Sequence, residues 1–121
     1  MKLHPHATAN LAITAIADKT LSIDQIVHDG SVIVHAKIGV AAWAVKQLTD
    51  ITDSDVERWI LTKPELVVLG AGTKHGFLAP ALAVKLVRAG VGLECMATPA
   101  AARTYNVLLD EGRDVLGAFI N

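Results

Sequence analysis

A chain of 121 residues with 52% hydrophobic and 19% charged side chains can bury a core of its own, which excludes a disordered protein. A chain of this size buries roughly two thirds of the surface its unfolded form exposes, so it needs neither disulfide nor metal to fold. The formal net charge of −1 leaves no basic footprint for nucleic acid or an anionic membrane, and no aromatic–basic interleaving offers a base-stacking platform.

The length fits one domain over residues 1–121, with no linker, repeat or low-complexity segment to divide it. The single cysteine, Cys95, cannot close an internal disulfide, which fits a reducing compartment. The apolar runs are too short to span a bilayer. Lys2 and the small-residue stretch Ala15-Ile16-Ala17 have the look of a leader, but Asn10 and Thr14 interrupt its apolar region. The expected location is the cytoplasm. The surplus of Ala and Val can also serve an interface, with a protein partner or in a homo-oligomer.

Met1 to Asn10 reads as a loose lead-in. His4 and His6 could share a strand face, but no third metal ligand follows them, and they are read as exposed histidines. Leu11–Ala17 and Thr20–Ile23 read as short strands joined at Asp18-Lys19. Asp29-Gly30 is a turn, Ser31–His35 a β-branched strand, and Val40–Val45 a further strand with Trp43 at its centre. His28 and His35 are read as incidental. Between Asp50 and Lys63 the period becomes helical: Val56, Trp59 and Ile60 give an apolar face, Thr52 or Asp53 the N-cap, and Pro64 the stop.

Leu66–Leu69 is apolar without alternation, as a strand buried on both faces should be. Gly70-Ala71-Gly72 follows it. Pro80–Ala89 is a helix with Leu82, Leu86 and Val87 directed at the sheet and Gly90 just past its end. Val91–Met96 is a strand. The last helix takes Thr98 as N-cap and Pro99 as its first residue, runs to about Glu111 and stops at Gly112. Val115–Ile120 closes the chain as a strand, and the strand–helix alternation predicts an α/β protein with a parallel or mixed sheet.

Most chemistry-bearing patterns fail on their details. The glycines after Leu69 suggest a dinucleotide loop, but His75 stands where a third glycine is needed, and Lys74-His75 breaks a phosphate-binding Walker loop. No nucleophile elbow and no zinc spacing occurs, so no cofactor, no metal and no catalytic residue is expected. Cys95, inside a strand, is read as inert core.

The last helix is the candidate. Arg103, Asn106 and Asp110 follow at i, i+3 and i+7 on one face, with Thr104 and Tyr105 beside it. Arg103 can pair with Asp110 or Glu111 as a structural group. Alternatively, its planar fork can hold a carboxylate or phosphate, helped by backbone donors at the helix start near Thr98. On that second reading the chain is an enzyme or binding protein for a small anionic ligand, held by Gly70, Gly72, Lys74, Thr98, Arg103, Tyr105 and Asn106 between the Gly70–Gly76 loop and the N-terminus of the last helix.

The order Pro-Glu-Leu…Leu-Gly-x-Gly, Gly-Val-Gly-Leu-Glu-x-Met-x-Thr and Ala-x-Arg-Thr-Tyr-Asn-Val-Leu-x-x-Glu-Gly-Arg, from Pro64 to Arg113, resembles the MTH938-like family of unknown function, which includes a mitochondrial complex I assembly factor. The resemblance covers Pro64 to Ile120. It implies a three-layer α/β fold: a mixed central sheet with helices packed on it and an additional N-terminal antiparallel β layer. Gly70, Gly72, Glu94, Met96, Thr98, Arg103, Thr104, Tyr105, Asn106, Glu111, Gly112 and Arg113 sit on the family's motif. Ala71, Ala97 and Ala102 replace a usual Thr, a usual Asp and a frequent Cys. The resemblance implies no established activity. It implies a non-catalytic module that binds a protein partner and helps assemble a membrane-associated, respiratory-type complex, without spanning the membrane itself.

Overall fold

The structure, a computed structural model, describes residues 11–121; His4 and His6 lie outside them. Among the described residues eight strands and three α-helices follow in the order β1 (Ile13–Ala17), β2 (Thr20–Ile23), β3 (Ile26–Asp29), β4 (Ser31–His35), β5 (Gly39–Trp43), α1 (Asp53–Leu61), β6 (Leu66–Ala71), α2 (Pro80–Arg88), β7 (Gly92–Met96), α3 (Thr98–Asp110) and β8 (Val115–Ile120).

A five-stranded sheet in the order β5-β4-β8-β6-β7 forms the middle layer. β8 lies parallel to β6, and β6 to β7, because helices carry the crossovers; β4 runs antiparallel to both β5 and β8. One face packs on α1 and α2 through Val56, Trp59, Leu82, Leu86, Leu69 and Leu116. The other face packs on α3 through Ala101, Ala102, Tyr105, Val68 and Phe119, and on the antiparallel sheet β1-β2-β3 through Ile13, Leu21 and Ile23. The expected α/β architecture, with a mixed sheet and a second β layer, is therefore what forms. β6 and β8 are central and apolar on both faces, and every residue of β8 is buried.

Strand β3 has no counterpart in the sequence reading. A two-residue turn at Asp24-Gln25 joins Ile23 to Ile26, and both turn residues have positive φ (51° and 69°). That geometry usually takes glycine or asparagine, so its signal was absent. The Asp24 carboxylate offsets the strain by accepting the Leu11 N–H at 2.9 Å.

α1 is shorter than Asp50–Lys63, because Leu48–Asp50 forms a separate 3-10 turn. Thr52 is its N-cap, in a capping box with Asp55: the Asp55 N–H donates to Thr52 Oγ1 at 3.2 Å, and the Thr52 N–H donates to Asp55 Oδ2 at 2.9 Å. Asp53 and Glu57 hold Lys85 of α2 at 2.9 and 3.0 Å. Trp43 ends β5 rather than centring it. Val87 is 74% exposed instead of facing the sheet, because α2 turns only its Leu82–Leu86 stripe inward.

His35 is a further correction. It is 2% exposed; its Nδ1 accepts the Lys37 N–H at 3.0 Å, and its Nε2 lies 2.5 Å from Asp114 Oδ1. A main-chain donor on Nδ1 leaves the neutral ring's proton on Nε2, facing the carboxylate. Both ring nitrogens are therefore occupied: Nε2 ties β4 to Asp114, just before β8, and Nδ1 fixes the turn after β4.

Candidate functional site

α3 is fixed to the β1 segment by two side chains from the Arg-Thr-Tyr-Asn block. Asn106 grips one residue of β1 with both ends of its amide: the Ile13 N–H donates to Oδ1 at 2.8 Å, and Nδ2 donates to Ile13 O at 2.7 Å. Tyr105, 1% exposed, donates its hydroxyl to Leu11 O at 2.8 Å and stands edge-on to Phe119, with ring centroids 5.4 Å apart. Burial raises the Tyr105 pKa, and the nearby Asp24 charge adds to the effect. The phenol stays neutral and works as a donor. The polar groups of these two residues are thus engaged in joining α3 to the β1 segment.

The start of α3 is organised by Thr98, and here the expected cap is corrected. Ala97 occupies the N-cap position and Thr98 is the first helical residue. The Thr98 hydroxyl donates to Ile120 O at 2.5 Å and accepts the Gly72 N–H at 2.9 Å, while its N–H donates to Gly72 O at 2.7 Å. The side chain is turned toward two strand ends, so it cannot cap its own helix. Pro99 has no N–H and the Ala101 N–H is taken by Ala97 O, which leaves this helix start few donors for an anion. Gly70 is needed for close approach: a Cβ there would lie 2.8 Å from Thr98 Oγ1 and 3.0 Å from Thr98 Cα.

Gly72 and Thr98 line a cavity of about 430 Å³ together with the acid Asp18, the cations Lys19 and Lys46, and Asn121. Lys19 reaches it from the β1–β2 turn, where its φ is 62°, and Lys46 from the segment after β5. These two lysines come from distant parts of the chain, and no local pattern marks them. Gly70 lies behind Thr98. Lys74 is exposed on the loop after β6. Arg103 is exposed on α3 and makes no ion pair with Asp110 or Glu111; Arg103, Tyr105 and Asn106 are not among the residues lining this cavity. The sequence-predicted set thus falls into three places: a cavity wall, two exposed cations and a structural clamp.

A second concavity lies on the opposite face of the central sheet. Between β4–β5 and α1 runs a groove of about 390 Å³, lined by Ile33, Ile38, Ala41, Trp43, Trp59 and Leu61 among others. Trp43 and Trp59 meet edge to face at 5.8 Å, and the Trp43 indole N–H donates to Asp55 Oδ1 at 3.3 Å. α1 and α2 cover β6 and β8 but leave the β5 side of the sheet open. As a result Ile38 is 47% and Leu61 76% exposed at the groove. The sequence shows the tryptophans but not that they border an opening.

Among the described residues no group of three His, Cys, Asp or Glu side chains could hold a metal ion, and no helix is long and apolar enough to cross a membrane. Cys95 is half-buried: its thiol donates to Gly76 O at 3.3 Å, and burial pushes its pKa up.

Comparison with known proteins places these features in a family. An uncharacterised protein of Rhodobacter capsulatus is 36% identical over 94 residues, covering 78% of this chain and 71% of that one. The NADH dehydrogenase [ubiquinone] 1 alpha subcomplex assembly factor 3 of Mus musculus is 36% identical over 81 residues, 65% of this chain but only 43% of the mouse protein. The solution structure of a Bordetella pertussis protein described as an Mth938-like domain superposes with a TM-score of 0.81 at 32% identity, covering 99% of this chain and 92% of that one. Residues 13–120 match the family described as protein of unknown function (DUF498/DUF598), and the chain belongs to that family, with the Mth938-like fold.

Proposed function

We propose that this chain is a non-catalytic protein-binding module that helps assemble a larger complex, and that the groove beside β5 receives apolar side chains of its partner. The observation that carries this reading is the groove itself: two tryptophans at an opening of about 390 Å³, flanked by exposed Ile38 and Leu61. Aromatic-lined pockets of this kind supply the hot spots of protein interfaces. The mouse relative, an assembly factor by name, supports the same class and suggests a respiratory, membrane-associated complex as the setting. The occupied hydrogen-bonding groups of Tyr105, Asn106 and Thr98 fit a structural rather than a reacting role.

The test is site-specific photocrosslinking in cells. A photoreactive residue at Leu61 should give a discrete adduct with another protein, lost on Trp43→Ala. The same probe at exposed Glu111 should give none. Identical adducts from both positions, or none from Leu61, would refute the reading.

A second reading is favoured by the other cavity, where Lys19 and Lys46 outnumber the one lining carboxylate, Asp18, and Gly72 and Thr98 form part of the wall. It takes a small anion; Lys74 and Arg103, exposed on the strand-end loop and the last helix, are not among the lining residues. Thermal unfolding against phosphate, nucleotides and carboxylic acids tests it. A ligand at a hundred times its Kd should add about 2.7 kcal/mol, a gain that Lys46→Ala should abolish.

A further inference from the structure

The cavity of about 430 Å³ beside Thr98 lies where open α/β sheets gather ligands, at the carboxyl ends of the parallel strands β6 and β8. Its volume falls within the roughly 300–1,000 Å³ usual for small-molecule sites. One of its lining residues carries an unspent group. Asn121 Nδ2 is, among the described residues, the one buried side-chain nitrogen or oxygen with no hydrogen-bond partner. A buried donor left unpaired costs free energy, so its missing partner is an acceptor brought from outside the fold. The residue is anchored by its main chain instead, whose N–H donates to Ser31 Oγ at 2.9 Å.

The charges around the cavity set the charge of that acceptor. Lys19, Lys46 and the acid Asp18 line it, and none of the three enters an ion pair among the described residues. Two cations against one carboxylate suit a monoanion. A phosphate ester, with about two negative charges at neutral pH, would leave its second charge to face Asp18. The backbone cradle that phosphates use is also spent. The Gly72 N–H goes to Thr98 Oγ1, the Thr98 N–H goes to Gly72 O, and Pro99 has none. Much of the remaining wall is apolar: Ile16, 40% exposed, stands beside Ala17 and Pro99.

We propose that this cavity binds an organic monocarboxylate with an apolar body, the carboxylate held by the Lys19 and Lys46 amines and the Asn121 amide, the body lying on Ile16, Ala17 and Pro99. The proposal rests on the anion reading above and names its ligand class. The terminal torsion of asparagine is a soft rotor, so the amide turns its N–H to a ligand oxygen at little cost.

The test is titration of the nitrogen-labelled full chain with phenylacetate, octanoate, phenylacetamide and phenyl phosphate, followed by amide proton–nitrogen correlation spectra. Both carboxylates should bind and move the Asn121 side-chain amide resonances. Neutral phenylacetamide and phenyl phosphate should each bind at least about tenfold more weakly than phenylacetate. Asn121→Ala should weaken both carboxylates about tenfold, since a hydrogen bond to a charged group is lost. It should leave Tm unchanged, because the amide nitrogen spends no hydrogen bond in the free fold; a structural Asn121 would give a lower Tm and unchanged affinity. Asp18→Asn should strengthen phenyl phosphate more than phenylacetate, because the like charge facing the dianion is gone. Phenyl phosphate binding the wild type as tightly as phenylacetate would overturn the carboxylate assignment and leave the anion reading standing. Carboxylates that bind without moving the Asn121 resonances, or that bind Asn121→Ala equally well, would also overturn it. Phenylacetamide binding as well as phenylacetate, or no binding by any of the four at about 10 mM, would overturn both.

Discussion

Replacing Asn106 with Ala removes the amide that holds β1 to α3. Two hydrogen bonds disappear, both to Ile13, at 2.8 and 2.7 Å. Each is worth about 1 kcal/mol net in an ordinary setting. Ile13 is only 7% exposed, so water reaches its freed N–H and C=O poorly and part of their desolvation cost remains. The expected loss is about 2–3 kcal/mol. An unfolding entropy of about 2.1 cal/mol/K per residue gives roughly 0.25 kcal/mol per degree for 121 residues, so Tm should fall by about 8–12 °C. Thermal unfolding by circular dichroism measures the shift, and hydrogen exchange should show the Ile13 amide losing protection first. Arg103→Ala is the internal comparison: exposed and without an ion pair to Asp110 or Glu111, it should change stability by less than about 0.5 kcal/mol. A shift below about 2 °C for Asn106→Ala, with the Ile13 amide still protected, would refute the clamp.

Three further outcomes follow from the same geometry. Gly70→Ala should cost about 1–3 kcal/mol by overpacking, because the new methyl would meet Thr98 at 2.8 Å; adding Thr98→Ala should recover only part of this in chemical denaturation, since the Thr98 backbone also lies at 3.0 Å. Tyr105 is the single tyrosine and its folded pKa is raised above the ordinary 10, chiefly by burial, so the unfolded chain releases this proton first as pH rises. Its contribution to stability is therefore whole below pH 10 and falls above it, and tyrosinate absorbance at 295 nm should appear only as the protein unfolds; a reversible titration near pH 10 in the folded state would contradict the burial argument. Cys95, with its pKa raised by burial and its thiol bonded to Gly76 O, should react with iodoacetamide at pH 7.5 at least tenfold more slowly than a free thiol, and equal rates in mass-spectrometric labelling would show that the β7 end opens.

The sequence by itself determined the elements whose causes are local. β6 and β8 are continuous apolar runs and can only be buried strands. Pro80, Gly90 and Gly112 punctuate helices through their own backbone preferences, and the N-cap of α1 is narrowed to Thr52 or Asp53, of which the fold uses Thr52. Those short-range rules, with the motif running from Pro64 to Arg113, were enough for the fold class and the family. Tertiary structure decided whatever depends on partners far away in the chain. Thr98 looks like a cap until Gly72 and Ile120 arrive to take its hydroxyl. Asn106 looks like a site residue until Ile13, 93 positions earlier, occupies both ends of its amide. His35 looks incidental until Asp114 meets it. A side chain's type fixes how many hydrogen bonds it can make, but only the packed chain fixes whether its own backbone has already taken them. The groove beside β5 belongs to the same category, since an opening is defined by where α1 and α2 stop covering the sheet.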